Sequence, residues 1–190
     1  MAAITKLAVG LTTMLLGAAS LAAAQQKSDK PAAAPSQAAQ LPGGASSLTE
    51  THGDWVVNCR VANVGRVCTY SFQQFDRGSN QRAFAIELTP RKADAGGTLA
   101  LPFGLDIAKG VTLAIDDKTI QEGLLPFSTC LVVGCLVPIT FDAAVQAQLK
   151  AGTVLKVTGT ILESAQPVSF NIPLNGFASA SARTTQLLDN

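Results

Sequence analysis

From residue 55 onward, hydrophobic and polar positions alternate with a period of two. In Trp55-Val56-Val57-Asn58-Cys59-Arg60-Val61, the residues Trp55, Val57, Cys59 and Val61 share one face, the pattern of a strand buried on one side. Val67-Cys68-Thr69-Tyr70-Ser71-Phe72 repeats it, and the intervening Ala62-Asn63-Val64-Gly65-Arg66 carries turn residues, so the two runs predict a hairpin. Further strands are predicted at 83–88, 100–107, 111–115, 118–124, 154–160 and 168–172, separated by Gly, Pro and Asp. Many short strands at this spacing predict an all-β fold, an antiparallel sandwich. Two segments depart from the period. Phe141, Val145 and Leu149 lie four apart between Thr140, a candidate N-cap, and Gly152, which predicts a short helix over 141–150. A second, terminal helix is predicted over 175–187, where Ala178, Ala180 and Ala182 favour it.

The N-terminal quarter has a different character. Lys6 precedes an apolar run from Leu7 to Leu21 that ends at Ala22-Ala23-Ala24, the pattern of a secretory signal peptide cleaved after Ala24. The run is short for a membrane span, no later stretch reaches about 18 apolar residues, and the residue after the cleavage site is Gln25, the first cysteine being Cys59, which argues against a lipoprotein anchor. The expectation is a mature chain without a transmembrane span, periplasmic or secreted. Residues 25–49, rich in Ala, Gln, Pro and Ser, have too few large apolar side chains to offset the entropy of ordering and read as a linker. The folded domain is then expected over 50–188.

Charge narrows the partners. Without Lys6 the chain has thirteen basic residues against thirteen acidic ones. A neutral chain gives no electrostatic attraction to nucleic acid, which is not expected as a partner. Four cysteines behind an export signal imply disulfides. Of the three possible pairings, Cys59 with Cys68 and Cys130 with Cys135 need the least chain excursion, each closing a small loop worth about 2–3 kcal/mol. A zinc site would favour shorter Cys spacings, and a thiol oxidoreductase a C-x-x-C at a helix N-terminus.

Catalytic signals are sparse, and the expectation is a protein that is not an enzyme and takes no cofactor or metal. His52, the single histidine, lies near Glu50 and Asp54 and could act as a base, although a surface histidine at the domain entrance accounts for it more simply. Asp116-Asp117 reads as a hairpin turn rather than a carboxylate pair, because adjacent strand residues point to opposite faces. No nucleophile-elbow, P-loop or dinucleotide motif occurs. One segment suggests a contact surface: Leu124-Leu125-Pro126-Phe127 and Leu131-Val132-Val133 are unusually apolar for loops around a small disulfide. Phe127, Leu131, Val132 and Val133 are the candidate partner contacts, the alternative being that they pack beneath the sandwich.

Several short motifs recur in a recognisable order. Asp54-Trp55, Cys59 and Cys68 are followed by Leu101-Pro102-Phe103-Gly104-Leu105 and by Gly110-Val111 before Ile115-Asp116. Then come Phe127, Cys130, Gly134-Cys135 and Leu174-Asn175-Gly176-Phe177 with Ala180. This set, spanning residues 52–181, resembles the invasion-associated locus B family of exported bacterial proteins. The resemblance implies an immunoglobulin-like β-sandwich, periplasmic or secreted, with a family name tied to virulence and host-cell invasion by some members; it brings no catalytic residues. The expected function is binding of a protein or other macromolecule at the cell envelope or a host surface. The rival is a periplasmic thiol-redox or chaperone-like envelope protein.

Overall fold

The computed structural model describes residues 40–120 and 123–189, so the signal-peptide reading and its cleavage site lie outside the described residues. Two antiparallel sheets pack face to face. Strands β1 (Ser47–His52), β2 (Trp55–Ala62), β3 (Gly65–Phe75), β4 (Arg82–Pro90) and β5 (Ala95–Leu101) form an up-and-down meander. Strands β6 (Thr112–Ile115) and β7 (Lys118–Thr119) belong to the second sheet. The chain then returns to the first sheet through β8 (Thr129–Leu131) and β9 (Gly134–Phe141), giving the order β1-β2-β3-β4-β5-β9-β8. After helix α1 (Ala143–Ala151), β10 (Val154–Thr160) and β11 (Pro167–Pro173) complete the smaller sheet, β11-β10-β6-β7, and helix α2 (Phe177–Asp189) ends the domain.

The period-two pattern explains the core. Trp55, Val57 and Cys59 of β2 face Cys68, Tyr70 and Phe72 of β3, and the same inner face continues through Ile86, Leu88, Leu99, Val137 and Ile139. The second layer answers with Leu113, Leu155, Val157 and Ile172. Beside the smaller sheet, α2 lays Phe177, Ala180, Thr184 and Leu187 onto β2 and β3, with Thr184 returning its hydroxyl to the Ala180 carbonyl (2.7 Å). Arg66 donates to the Leu187 carbonyl at 2.9 Å, placing a cation where the end of α2 carries negative partial charge. β11, an edge strand, begins and ends with proline.

Several boundaries differ from the sequence reading. The domain does not start at residue 50: Leu41 is already in the core at 2 % exposure, and β1 starts at Ser47. The strand expected over 100–107 occupies 95–101, since Pro102 removes a ladder donor and Gly104 turns the chain at φ 90°. The strand expected over 118–124 is confined to Lys118–Thr119. Segment 134–141, where the sequence predicts no strand, is the eight-residue strand β9. Phe141 closes β9, and Asp142 rather than Thr140 caps α1, accepting from the Val145 amide at 2.8 Å.

Candidate functional site

Three loops meet at one end of the larger sheet. The β8–β9 hairpin turns at Val132-Val133, the β3–β4 connection runs from Asp76 to Gln81, and Pro102-Phe103-Gly104 follows β5. Arg82 donates from Nη2 to the Val133 carbonyl at 2.8 Å, joining β4 to the hairpin tip. Between the loops lies a hollow of about 280 Å³ lined by Asp76, Arg82, Phe103, Val132 and Val133 among others. The β3–β4 loop is built by Asp76, whose carboxylate accepts from the Gly78 and Ser79 amides and the Ser79 hydroxyl at 2.8–3.1 Å. These donors hold the Asp76 carboxyl below its ordinary range.

The four candidate contacts separate. Val132 is 99 % exposed, and Leu131 and Val133 are each about half exposed at the same tip. Phe127 is instead half-buried and packs against the core, so it belongs to the alternative weighed from the sequence. The sequence reading missed Phe103, which is 63 % exposed beside the hairpin tip. Its signal was present in Pro-Phe-Gly: a turn ending the strand at residue 101 leaves the following aromatic ring without an inner face.

Both cysteine pairs are closed locally. Cys59–Cys68 joins directly opposed residues of β2 and β3 with Cα atoms 4.1 Å apart, and Cys130–Cys135 joins opposed residues of β8 and β9 at 3.9 Å. The first bridge lies within the core, while the second anchors the short strand leading to the exposed tip. Gly134, between the tip and Cys135, has φ 121°, and a Cβ there would fall 2.5 Å from the Leu101 carbonyl oxygen. The hairpin therefore rests directly on the end of β5.

The residues considered for catalysis take structural positions. His52 ends β1 with Nε2 3.4 Å from Glu50, whose carboxylate is gripped by Arg183 of α2 through Nε (2.7 Å) and Nη2 (2.8 Å). Asp116 and Asp117 both have positive φ, forming the β6–β7 turn, and the Asp116 carboxylate accepts from the Thr153 and Val154 amides at 3.0–3.1 Å. Asp117 pairs with Lys156. Among the described residues no group of three or more His, Cys, Asp or Glu side chains is placed to hold a metal ion.

The Glu50–Arg183 clasp has a measurable pH signature. The Arg183 hydrogen bonds, followed by a smaller one from His52, lower the Glu50 carboxyl below its ordinary value against the opposing effect of burial. A depressed carboxyl stabilises the fold above its unfolded value and loses that contribution as pH falls through the folded one. Wild type is expected to melt higher than Arg183→Met at neutral pH, with the difference closing below about pH 4. Thermal melts of both proteins across pH 3–7 check this, and a pH-independent difference would contradict it.

The described molecule is a disulfide-stapled antiparallel β-sandwich that presents a loop-built apolar end. Residues 55–185 match the family described as Invasion associated locus B (IalB) protein. The chain belongs to the invasion-associated locus B family. It is 46% identical over 153 residues to an Invasion protein B homolog of Brucella abortus, covering 79% of this chain and 86% of that protein. It is 35% identical over 161 residues to Invasion protein B of Bartonella bacilliformis, covering 83% and 86% respectively. Its fold matches the crystal structure of invasion associated protein b from Bartonella henselae with a TM-score of 0.70 and 33% identity, over 75% of this chain and 98% of the other.

Proposed function

We propose that this chain is an exported, non-enzymatic binding protein that holds a partner protein at the cell envelope or a host surface through the apolar end formed by Leu131, Val132, Val133 and Phe103. The observation that carries the reading is Val132, fully exposed at the tip of a hairpin anchored by a disulfide and by the Arg82 hydrogen bond. An apolar side chain left in water contributes nothing to folding, whereas its burial in an interface is favourable, and the disulfide and hydrogen bond beside it lower the cost of ordering the hairpin on binding. The names of the Brucella and Bartonella relatives, which refer to invasion, fit a surface-contact role. Two disulfides and the N-terminal signal pattern support export.

The test places a photo-crosslinking amino acid at position 132, and at position 69 on the opposite region of the larger sheet as a control, in the full-length protein expressed in its own envelope. One partner is expected to crosslink from 132 and not from 69. Excess unlabelled wild type should compete it away, whereas Val132→Asp should compete at least about tenfold less well. Because residue 132 is exposed, the substitution should change stability by no more than about 0.5 kcal/mol. A normally folded Val132→Asp protein that retains every partner would overturn the reading.

A further inference from the structure

We infer that Cys130–Cys135 is a site of thiol–disulfide exchange, opened by a dithiol reductant that attacks Cys130, and that its reduction releases strand β8 while the sandwich stays folded. The inference stands apart from the contact reading, because it depends on the cysteines and not on what the tip touches.

The two disulfides differ in access. Cys59 and Cys68 are both buried, and their strands are hydrogen-bonded on both sides within the larger sheet, so a reductant reaches that bond only when the sandwich opens. Cys130 is exposed on β8, the outermost strand of the same sheet, and Cys135 is buried at 3 % exposure. An incoming thiolate can therefore meet the Cys130 sulfur from outside. A new bond forms between the reductant sulfur and Cys130 Sγ as the Sγ–Sγ bond breaks. The electron pair goes to Cys135, which takes a proton from solvent. The second thiol of the reductant loses its proton and displaces Cys130 as a thiolate, which is protonated in turn. The protein disulfide becomes two thiols, and the reductant dithiol becomes a disulfide.

The structure accommodates the product. A protonated Cys135 is a small apolar side chain suited to the buried position it already occupies. β9 remains paired with β5 from Cys135 to Phe141, whereas β8 is three residues long and is paired on one side only. Beyond the disulfide, β8 is held chiefly by its ladder with β9 and by Ser128, whose amide (2.8 Å) and hydroxyl (3.1 Å) donate to the Leu136 carbonyl. Opening the bond leaves that short segment to fray and makes β9 the new sheet edge.

The experiment treats the folded, disulfide-intact protein with dithiothreitol, quenches with iodoacetamide at intervals and maps the label on peptides. Cys130 and Cys135 are expected to be labelled at least about tenfold faster than Cys59 and Cys68. Thioredoxin with its resolving cysteine changed to serine should be trapped as a mixed disulfide on Cys130. Hydrogen exchange should accelerate over 128–131 in the reduced protein while 135–141 keep their protection. Equal labelling of both pairs, trapping on another cysteine or no trapping, or unchanged exchange over 128–131 would overturn the inference. Cys130→Ser/Cys135→Ser offers a second reading: it should fold and reproduce the exchange pattern of the reduced wild type, and an unfolded variant would overturn the inference as well.

Discussion

Trp55→Ala is expected to destabilise the domain by about 4 kcal/mol, a large share of the stability of a domain this size. Trp55 is fully buried, with ring centroids 5.0 Å from Phe177 in an edge-on arrangement and 5.8 Å from Tyr70. Its indole N–H donates to the Pro173 carbonyl at 2.9 Å, spanning from the larger sheet to the end of β11. Truncation leaves a cavity at the junction of both sheets and α2, and removes the partner of a carbonyl that is then left unsatisfied. Trp55→Phe should keep much of the packing and lose the hydrogen bond, a smaller cost of about 1–2 kcal/mol. Urea denaturation followed by far-ultraviolet circular dichroism measures both. Fluorescence does not serve, because Trp55 is the only tryptophan. A Trp55→Ala midpoint close to wild type would contradict the account.

Gly176→Ala should cost a comparable amount, about 4 kcal/mol, although it adds a single methyl group. Gly176 has φ 89°, and a Cβ built on it would sit 1.8 Å from the His52 carbonyl oxygen, which neighbouring backbone cannot yield without moving the β1–β2 turn. That turn is fastened to the same place: the Asp54 amide donates to the Asn175 carbonyl at 3.1 Å, and the Asn175 side-chain amide donates to the Asp54 carboxylate at 3.1 Å. The expected result is a lower denaturation midpoint with an unchanged slope. Gly65→Ala is the comparison: its φ is 111°, but nothing lies within 4 Å of its built Cβ, so only the backbone cost of about 1–2 kcal/mol remains. Equal losses at both positions would refute the steric part of the argument.

These two positions also explain what the family motifs do. Asp54-Trp55 and Leu174-Asn175-Gly176-Phe177 lie more than a hundred residues apart in the chain, yet each is the other's packing partner. Gly134-Cys135 seats the hairpin on Leu101, the first residue of the Leu-Pro-Phe-Gly-Leu motif. The motifs that carry the resemblance are thus largely the joints of the sandwich.

The hairpin of β2 and β3 was legible because both strands bury one clean face, and β10 because Leu155 and Val157 alternate with polar residues between a Gly-closed helix and a turn. β9 was hidden by Pro138, which reads as a breaker yet sits on a face directed away from the core opposite Thr98. β1 was missed because its inward side is only partly buried and its sequence, Ser-Leu-Thr-Glu-Thr-His, resembles linker. Of the candidate site, the apolar tip stood out locally. Its union with Phe103 and Arg82 depends on β5 and β9 being neighbours, a pairing across some forty residues that no local pattern encodes.

The prolines bracketing β11 bear on how this protein behaves when crowded. An unpaired edge of seven residues would otherwise be a template onto which a second chain could lay its own strand, the first step of fibrillar accretion. Pro167 and Pro173 offer no amide hydrogen at either end, so an added strand finds an incomplete row of donors and gains little by docking there. The small sheet carries its own stop at that margin, and its growth ends with the strand that the chain itself supplies.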